Sequence, residues 1–327
     1  MGTASSAGAA VEVSVVVPTV GRPSLVDAVR SVLDQRRPPN EVVVVADRTG
    51  VALPIEVAVD PRVRLVETTG GLGPSAARNA GVGVTTGTLV AFLDDDDRWL
   101  PTYLTEVVAA WDRARDRGAH AVVATTALDV DGDDRVVWDP GTTVLPAGHD
   151  LGEALVGPRS VVRPHARLEV GSSGLVAPRV LLVEEPFDEA RRLHEDWEWL
   201  LRVTARPEVA LVVLPEPLLR YRTAPAGATA SRPGGGWALS ATLADHPTLT
   251  PRARGDLLVF VSARLAIAER AWRPAAGLVR RGFRDGRPSA RAVVVTAVDA
   301  VVTAVRAEAA VTRVLVALRT RRPEVSR

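Results

Sequence analysis

Four consecutive aspartates at positions 94–97 form the densest group of ionisable side chains in the sequence. They follow an apolar run at residues 88–93, which predicts a buried strand. Adjacent negative charges repel one another and are not buried without a counter-charge, so we expect a cation beside them. Carboxylate oxygens are the ligands that Mg²⁺ and Mn²⁺ prefer. A solvated acidic turn is the alternative, but α/β sheets bind ligands at the carboxyl ends of their strands, which favours a metal site.

The segments around the aspartates alternate between strand and helix patterns. Apolar and β-branched runs predict strands at residues 13–17, 41–45, 63–67, 88–93 and 121–127. Ser24 and Asp27 have the spacing of a capping box at the start of the first helix, and further helices are predicted from Ser75 and Pro101. This alternation is typical of a mostly parallel sheet flanked by helices, which is an α/β fold.

The second half of the chain is less regular. Residues 129–170 consist of short segments broken by Gly and Pro, and strand or helix patterns return at residues 174–183, 196–204, 209–214 and 218–222. We expect a linker or loop over residues 226–250, where Gly, Ala and Pro are frequent. Beyond residue 250 the pattern is helical, with valines recurring on one face of the last helix. We expect that face to pack on the preceding domain or on a second subunit.

Composition excludes several kinds of chemistry. The 327 residues include no cysteine and no lysine, which rules out disulfides, thiolate nucleophiles, zinc–thiolate sites and Schiff bases. The net charge of +1 and the 4% aromatic content give no footprint for nucleic-acid binding. The five histidines lack metal-ligand spacing, so oxygen ligands are expected for any metal. No apolar run is long enough to span a bilayer, and residues 1–10, predicted to be disordered, do not resemble a secretory signal. We therefore expect a cytoplasmic protein.

Five motifs along the chain resemble those of glycosyltransferase family 2. Residues 15–19, Val-Val-Val-Pro-Thr, resemble the family's first strand, and Asp47 lies where the family has an aspartate that contacts the nucleotide base. Residues 73–81, Gly-Pro-Ser-Ala-Ala-Arg-Asn-Ala-Gly, resemble the stretch before the family's metal motif. Residues 92–97 match the D-x-D motif itself, and residues 194–196, His-Glu-Asp, match the acidic motif that supplies the catalytic base.

The resemblance implies a GT-A fold and a metal-dependent, inverting transfer of one hexose-like sugar from a nucleotide-diphosphate-sugar to an acceptor hydroxyl. It implies a nucleotide-binding half at residues 11–128 and an acceptor half at residues 129–225. The resemblance does not cover residues 251–327, where the helical pattern predicts a C-terminal extension. Bound Mn²⁺ or Mg²⁺ would neutralise charge growing on the departing diphosphate. A carboxylate would take the proton of the acceptor hydroxyl.

The resemblance also implies a role for individual residues. Asp196 is the candidate catalytic base. Asp96 is the first choice as direct metal ligand, Asp94 is placed on the metal or the ribose, and Asp95 or Asp97 supports them. The donor-binding residues that it implies are Pro18, Thr19, Asp47, Arg78, Asn79, Asp94, Asp95 and Arg222.

Several of these residues have a purely structural alternative. Asp196 could cap the helix that is predicted to begin beside it, and Asp47 could be an ordinary turn aspartate. Arg78 could lie on the surface or reach toward a phosphate, and the stretch that begins at Asn79 could end a helix. Tyr221 with its neighbour resembles a late family motif near the donor pocket, but it could equally be an edge-strand aromatic.

Two other functions stay open at this stage. A phosphatase of the haloacid dehalogenase type also has a D-x-D after a strand, but it needs a threonine or valine soon after and a later basic residue, usually lysine. A catalytically weak nucleotide-sugar-binding or scaffold module is the other, because Ala46 stands where the family usually has an aspartate. Weaker or different base recognition would follow from the same substitution.

The expected partners are a nucleotide-sugar donor and a glycan, lipid-linked or small-molecule acceptor, without nucleic acid. No Gln-x-x-Arg-Trp motif of processive synthases is present, which favours addition of a single sugar. Arginines on the C-terminal helices could instead attract an anionic membrane face, so peripheral membrane contact and a homodimer both stay open.

Overall fold

The chain divides into two compact units, one of Met1–Leu155 with Arg167–Ser231 and one of Val156–Ala166 with Arg232–Arg327. The structure is a computed structural model. It describes residues 11–116, 120–131, 133–138, 150–158, 170–222 and 235–320, with the backbone alone at residues 137–138 and 307–320. The predicted disorder at residues 1–10 and much of the irregular region at 129–170 lie outside the described residues.

The first unit contains all the described strands. They are β1 (Val13–Thr19), β2 (Glu41–Ala46), β3 (Val63–Glu67), β4 (Leu89–Phe92), β5 (Arg98–Trp99), β6 (His120–Val130), β7 (Val136–Trp138), β8 (Leu175–Pro178) and β9 (Val209–Arg222). Its helices are α1 (Leu25–Leu33), α2 (Ile55–Ala58), α3 (Pro74–Val84), α4 (Tyr103–Arg115), α5 (Leu151–Val156), which ends at the first residue of the second unit, α6 (Arg179–Glu184) and α7 (Glu195–Val203), with a 3₁₀ turn at Ser172–Gly174.

Within the described residues the strands form one sheet in the order β3-β2-β1-β4-β8-β6-β9-β5, with β7 paired to β6. The α/β fold class is confirmed. Strands β3, β2, β1 and β4 are parallel, as expected, and so are β6 and β9. Strand β8, however, runs antiparallel to both β4 and β6. Its four residues are all buried, so its sequence resembles that of a parallel strand and does not reveal its direction.

Two predicted boundaries differ in this half of the sheet. The run at residues 174–183 divides into β8 and α6, and the runs at 209–214 and 218–222 are one strand, β9. Prolines at 215 and 217 separate the two predicted runs. Strand β9 continues through both prolines because its pairing with β6 shifts register beside Thr125 and Thr126.

The parallel strands bring their carboxyl ends to one edge of the sheet. Thr19 at the end of β1 pairs with Ala46 at the end of β2, and Phe92 at the end of β4 pairs with Val16. Valines fill the strand interiors and are fully buried, including Val15, Val43 and Val44. Strand β1 continues through the proline at position 18, where the sequence predicted its end. The loops after β1, β2 and β4 therefore meet at this edge.

The predicted capping box at the start of α1 is wrong. Ser24 occupies the N-cap position but accepts no hydrogen bond through its side chain. Asp27 instead accepts a 2.8 Å hydrogen bond from Arg98 in β5. The carboxylate of Asp27 thus forms a tertiary ion pair and does not serve the helix cap, because Arg98 from a distant strand lies within hydrogen-bond distance.

Helix α3 packs against the sheet through Gly81, and it does not end there but continues to Val84. A Cβ on Gly81 would lie 2.4 Å from Val16 Cγ1 and 3.1 Å from Val45 Cγ2, whereas a Cβ on Gly83 would meet nothing within 4 Å. The close approach of helix and sheet thus depends on the missing side chain at one glycine and not at the other.

We expect Gly81→Ala to lower the free energy of unfolding by about 1–3 kcal/mol, because the added methyl overpacks the core. Gly83→Ala, in the same helix, is expected to raise it by roughly 0.5–1 kcal/mol, because alanine loses less backbone entropy. Urea unfolding of the two variants checks the pair. Equal effects of the two substitutions would contradict the described packing of α3.

The second unit is helical. Its helices are α8 (Gly236–Thr242), α9 (Pro251–Asp256), α10 (Ala263–Ala268), α11 (Trp272–Asp285) and α12 (Ala290–Thr320), with a π-helical segment at Leu257–Ser262 joining α9 to α10. The helical prediction beyond residue 250 is confirmed. The linker predicted at 226–250 is wrong for α8 and the 3₁₀ turn Leu243–Asp245, because buried Ser240 hydrogen-bonds to Ser262 and fixes that segment as a helix.

The valine face predicted on the last helix is exposed on the part of α12 whose side chains are described. Val294, Val298, Val301 and Val305 are each about half exposed, from 46% to 63%. The expectation that this face packs on the preceding domain or on a second subunit stays a prediction. Valines at successive helical turns show a periodic face but not what covers it. Within the described residues, no helix has the length and apolar content that crossing a membrane requires.

Candidate active site

The four aspartates after β4 alternate between exposed and buried side chains. The side chains of Asp94 and Asp96 are 32% and 37% exposed, whereas Asp95 and Asp97 are 1% exposed. The two outward carboxylates are the D-x-D pair named from the sequence. The two inward carboxylates are held by the protein: Asp95 accepts from Thr19 and Arg22, and Asp97 accepts a 3.0 Å bond from the backbone N–H of Arg222.

Two arginines supply the positive charge that the aspartates require. Arg22, in the loop after β1, donates to Asp95 and lies 3.3 Å from Asp96 Oδ2. Arg78, in α3, donates a 2.6 Å hydrogen bond to Asp94. Sequence reasoning missed Arg22. Arg22 could have been predicted from two observations: the aspartates need a cation beside them, and an arginine follows Thr19 by three residues in the loop after β1.

Arg78 is a buried link between two elements, not a surface residue. Its side chain is 2% exposed, and its guanidinium also donates a 3.0 Å hydrogen bond to Glu195 at the start of α7. Burial by itself lowers the pKa of Arg78, but the carboxylates of Asp94 and Glu195 outweigh burial and hold the pKa above its usual value. Arg78 therefore stays charged and joins the end of β4 to α7.

Asp196 lies beside this ion-pair network and is surrounded by protein, with some solvent exposure remaining. Its carboxylate accepts hydrogen bonds from the backbone N–H groups of Ser172, at 3.2 Å, and Trp197, at 2.8 Å. Burial raises the pKa of Asp196 to about 7, and repulsion from Glu195 adds to the effect, while the charge of Arg78 opposes it. The carboxyl group can therefore gain and lose a proton near neutral pH.

The backbone before Asp196 explains its orientation. His194 is in the left-handed conformation, with φ at 59°, and its ring stacks on Trp197 at 4.3 Å. This conformation is uncommon outside glycine, and it turns the chain directly into α7. His194 is the N-cap of α7, so Asp196 does not cap the helix. Asp196 lies in the first turn, where the helix dipole still favours a carboxylate, and it also accepts a hydrogen bond from Ser172.

A short turn connects Asp196 with the aspartates. Ser172 donates its backbone N–H to Asp196, and the hydroxyl of Ser173 accepts the backbone N–H of Asp94 at 3.0 Å. The indole N–H of Trp99 donates to the Ser173 carbonyl at 2.8 Å and fixes the turn from β5. The structure thus brings Asp196 and the D-x-D pair together, as the predicted chemistry requires. The two serines were missed because nothing in their local sequence indicates a partner.

Asp47 organises the glycine-rich loop between β3 and α3. Its carboxylate accepts hydrogen bonds from Thr68 Oγ1 at 2.7 Å and from the backbone N–H groups of Leu72, at 2.9 Å, and Gly73, at 2.7 Å. Both carboxylate oxygens are used in this way. Within the protein, Asp47 therefore acts as the turn aspartate of the structural alternative. Its contact with a nucleotide base stays a prediction.

The other candidate donor residues differ in position. Asn79 uses both ends of its amide on the backbone of Phe187, so it holds the loop before α7. Thr19 is at the acidic cluster, and Pro18 precedes it in β1. Arg222 reaches the cluster through its backbone N–H, while its side chain lies 3.4 Å from Asp134. The neighbouring Tyr221 is 46% exposed; its partial burial raises its pKa, and the charges of Asp97 and Asp94 raise it further.

The exposed carboxylates fit a hard divalent cation in donor type. Asp94 uses one oxygen on Arg78. Burial raises the pKa of Asp96, and repulsion from Asp94 raises it further, although Arg22 opposes both, so the negative charge there is incompletely compensated. No group of three or more His, Cys, Asp or Glu side chains in the described part of the chain is arranged to hold a metal. A divalent ion would therefore need further oxygens from a ligand, as Mg²⁺ commonly does with phosphates.

Known proteins resemble this chain in sequence and in fold. Residues 14–143 match the model of glycosyl transferase family 2. The succinoglycan biosynthesis protein ExoO of Rhizobium meliloti (strain 1021) is 41% identical over 109 residues, which is 33% of this chain and 30% of ExoO. The chain spans about a third of the length of the curated relatives it matches.

Two solved structures show the same fold. TarS residues 1–349 from S. aureus in complex with UDP-GlcNAc gives a TM-score of 0.55 at 16% identity, covering 83% of this chain and 81% of that one. A second structure of TarS 1–349 gives a TM-score of 0.54 at 17% identity, covering 83% of this chain and 80% of that one. The family match overturns the phosphatase alternative. Residues 14–143, which include the D-x-D pair, thus form a glycosyltransferase family 2 domain within a GT-A-like fold.

Proposed function

We propose that the first unit transfers a single sugar from a nucleotide-diphosphate-sugar to an acceptor hydroxyl, with a divalent ion and with inversion at the anomeric carbon. The observation that carries the proposal is the position of Asp196 beside the D-x-D pair, linked to it by Arg78 with Glu195 and by the Ser172–Gly174 turn. A proton acceptor and a candidate diphosphate site thus face the same edge of the sheet.

Asp94 and Asp96 are the residues proposed to hold the divalent ion. When bound, Mn²⁺ or Mg²⁺ supplies positive charge against the diphosphate of the donor. Arg22 lies 3.3 Å from Asp96 and partly neutralises its carboxylate. We expect Arg22 to stay close to the diphosphate when the donor binds beside Asp96. Asp95 and Asp97 are buried and keep the strand end in place, Asp95 through Thr19 and Arg22, and Asp97 through the Arg222 backbone.

Asp196 is proposed to accept the proton of the acceptor hydroxyl as the new glycosidic bond forms. An efficient general base has a pKa near the operating pH, and the pKa of Asp196, at about 7, meets that condition. The two N–H groups on its carboxylate fix its orientation. Direct attack by the hydroxyl from the side opposite the leaving diphosphate inverts the anomeric carbon.

The nucleotide is proposed to lie across the loops after β1 and β2. Asp47 holds the loop at residues 70–73, which would shape the base pocket even if Asp47 does not touch the base. The UDP-GlcNAc complex of TarS supports a uridine diphosphate donor as the first to test. The name of ExoO, a succinoglycan biosynthesis protein, supports a glycan as the acceptor.

Nucleotide binding with a metal requirement is the direct test. We expect UDP, GDP, thymidine diphosphate or ADP to raise the melting temperature with Mn²⁺ and to do so weakly without it. A ligand at a hundredfold excess over its Kd adds about 2.7 kcal/mol to the stability of the folded state. Differential scanning fluorimetry of all four nucleotides, with and without Mn²⁺, identifies the base and the metal requirement together.

Asp96→Asn serves as the site variant and Asp116→Asn, at the exposed end of α4, as its matched control. The Mn²⁺-dependent part of the shift is expected to disappear in the first and to persist in the second. Identical melting of the wild-type protein in every well would count against the donor site itself.

A further inference from the structure

Helix α11 in the second unit has two distinct faces. Ala275, Leu278 and Gly282 are buried and anchor the helix within its unit. Beside this buried stripe, Trp272 and Phe283 are 42% and 57% exposed. Large aromatic rings are usually withdrawn from water in a soluble protein, and a face that presents two of them marks an interaction surface when other features agree.

Arginines share this outer face. Arg273, Arg280 and Arg284 are exposed on α11, and Arg287 is exposed just beyond its end. Steps of three and four residues from Trp272 and Arg273 through 276 and 280 to Phe283 and Arg284 keep the helical positions on one side of α11, and Arg287 follows the end of the helix. We call the six residues Trp272, Arg273, Arg280, Phe283, Arg284 and Arg287 the α11 outer face.

The α11 outer face is strongly positive. Among the described residues, Arg273, Arg280 and Arg287 form no ion pair, and Arg284 pairs only with the neighbouring Asp285. Asp285 is also bound by Arg281, which in turn reaches Asp245. Asp285 and Asp245 are therefore already paired, and they leave most of the arginine charge of the α11 outer face without a partner.

We propose that the α11 outer face docks on an anionic phospholipid surface. Tryptophan and phenylalanine insert at the level of the lipid headgroups, and arginines beside them bind lipid phosphates while their aliphatic stems cover apolar surface. A second copy of this chain fits less well. A two-fold contact through this face would bring the arginines of one copy against those of the other.

Vesicle co-sedimentation of the full chain tests the proposal. Vesicles of equimolar phosphatidylglycerol and phosphatidylcholine are expected to bind the wild-type protein more tightly than phosphatidylcholine alone, and added salt is expected to weaken the binding. Each arginine near an anionic surface strengthens binding about fivefold. The double variant Arg280→Gln with Arg284→Gln should therefore bind about 25-fold more weakly.

A matched variant separates position from total charge. Arg113→Gln with Arg115→Gln removes the same charge from exposed positions on α4 and is expected to bind vesicles like the wild type. Trp272→Ala with Phe283→Ala should reduce the binding that persists at high salt. The substituted arginines are exposed, so the melting temperatures of both arginine variants should stay unchanged, and a cooperative melting transition of the aromatic variant, which loses the covered part of Trp272, shows that it folds.

Several outcomes would overturn the proposal. Equal binding to neutral and anionic vesicles, or binding to neither, removes the electrostatic basis. Equal weakening by the α4 and α11 double variants makes the effect one of net charge. Self-association of the wild type in light scattering that the Arg280 and Arg284 substitutions abolish would instead assign the face to a second copy.

Discussion

Asp196→Asn is expected to lower kcat by about 10²- to 10⁴-fold, the range that a positioned general base contributes. The amide has nearly the shape of the carboxylate but cannot accept the proton of an acceptor hydroxyl. The Mn²⁺-dependent Kd of the nucleotide diphosphate should be unchanged, because the donor contacts proposed for Asp94 and Asp96 are on a different element. Kinetics with labelled donor and calorimetry of nucleotide binding measure the two quantities separately.

The control is Asp112→Asn, in the exposed part of α4 beside Arg115, which should leave turnover intact. A turnover rate close to wild type in the Asp196 variant would place the base elsewhere. Loss of donor binding together with turnover would instead give Asp196 a structural role. It would contradict the proposal that residues after β4 bind the donor and that Asp196 in α7 accepts the proton.

The pH dependence of the wild-type enzyme gives a second measurement on the same residue. With a pKa of about 7 for Asp196, kcat/KM should fall about tenfold per pH unit below 7 and level off above it. A carboxyl whose pKa is raised by folding binds its proton more tightly in the folded state than in the unfolded chain. Its contribution therefore destabilises the fold as pH rises from about 4 through 7.

This sign predicts that Asp196→Asn unfolds at higher urea concentration than the wild type at pH 8, with a smaller difference at pH 4. The variant would be inactive and yet more stable. A residue retained for packing would show the opposite result, a loss of stability on substitution at every pH.

Arg78→Met is the second large effect, and we expect it to lower the free energy of unfolding by about 3–5 kcal/mol. Methionine has a similar length but leaves the carboxylates of Asp94 and Glu195 without their buried counter-charge. Urea unfolding at pH 7 gives the magnitude. The comparison variant is Arg64→Met, whose ion pair with Glu41 is 40% exposed on the arginine side and should matter by at most about 1 kcal/mol.

Removing a carboxylate together with the arginine distinguishes the lost charge pair from lost packing. Glu195→Gln in the Arg78→Met background should recover part of the stability, because one unpaired charge disappears. No recovery would mean that the guanidinium acts mainly by filling space, in keeping with its contact on the Phe187 ring. Expression at low temperature keeps the measurement feasible if the single variant is marginal.

The sequence identified the groups that act through their own chemistry better than the groups that hold them. Asp94, Asp96 and Asp196 could be named because two acidic motifs occur in the order and spacing that the resemblance to glycosyltransferase family 2 implies, and their roles stay predictions. The parallel strands were equally visible, since β1 and β2 are continuous β-branched runs. Both depend on patterns of adjacent residues.

Arg22 and the Ser172–Ser173 turn could not be found in that way. Their partners are 73 residues away for Arg22 with Asp95, 24 for Ser172 with Asp196, and 79 for Ser173 with Asp94, so only the folded chain brings them together. Arg78 was named as a candidate donor-binding residue, but its burial could not be predicted, because nothing in its helix shows that Asp94 and Glu195 bind it. The direction of strand β8 could not be predicted for the same reason. A strand that is buried on both faces has a sequence that does not indicate which strands it pairs with.

The Ser172–Gly174 turn sets a limit on how such an enzyme can diversify. A Cβ at Gly174 would fall 2.8 Å from Thr125 Oγ1 and 2.9 Å from Leu219 Cδ2, so the turn cannot shift without disturbing the sheet behind it. A lineage that acquires a new sugar acceptor would therefore have to alter surrounding loops and leave this turn intact, since one displaced peptide would misalign both Asp94 and Asp196 of the proposed reaction centre.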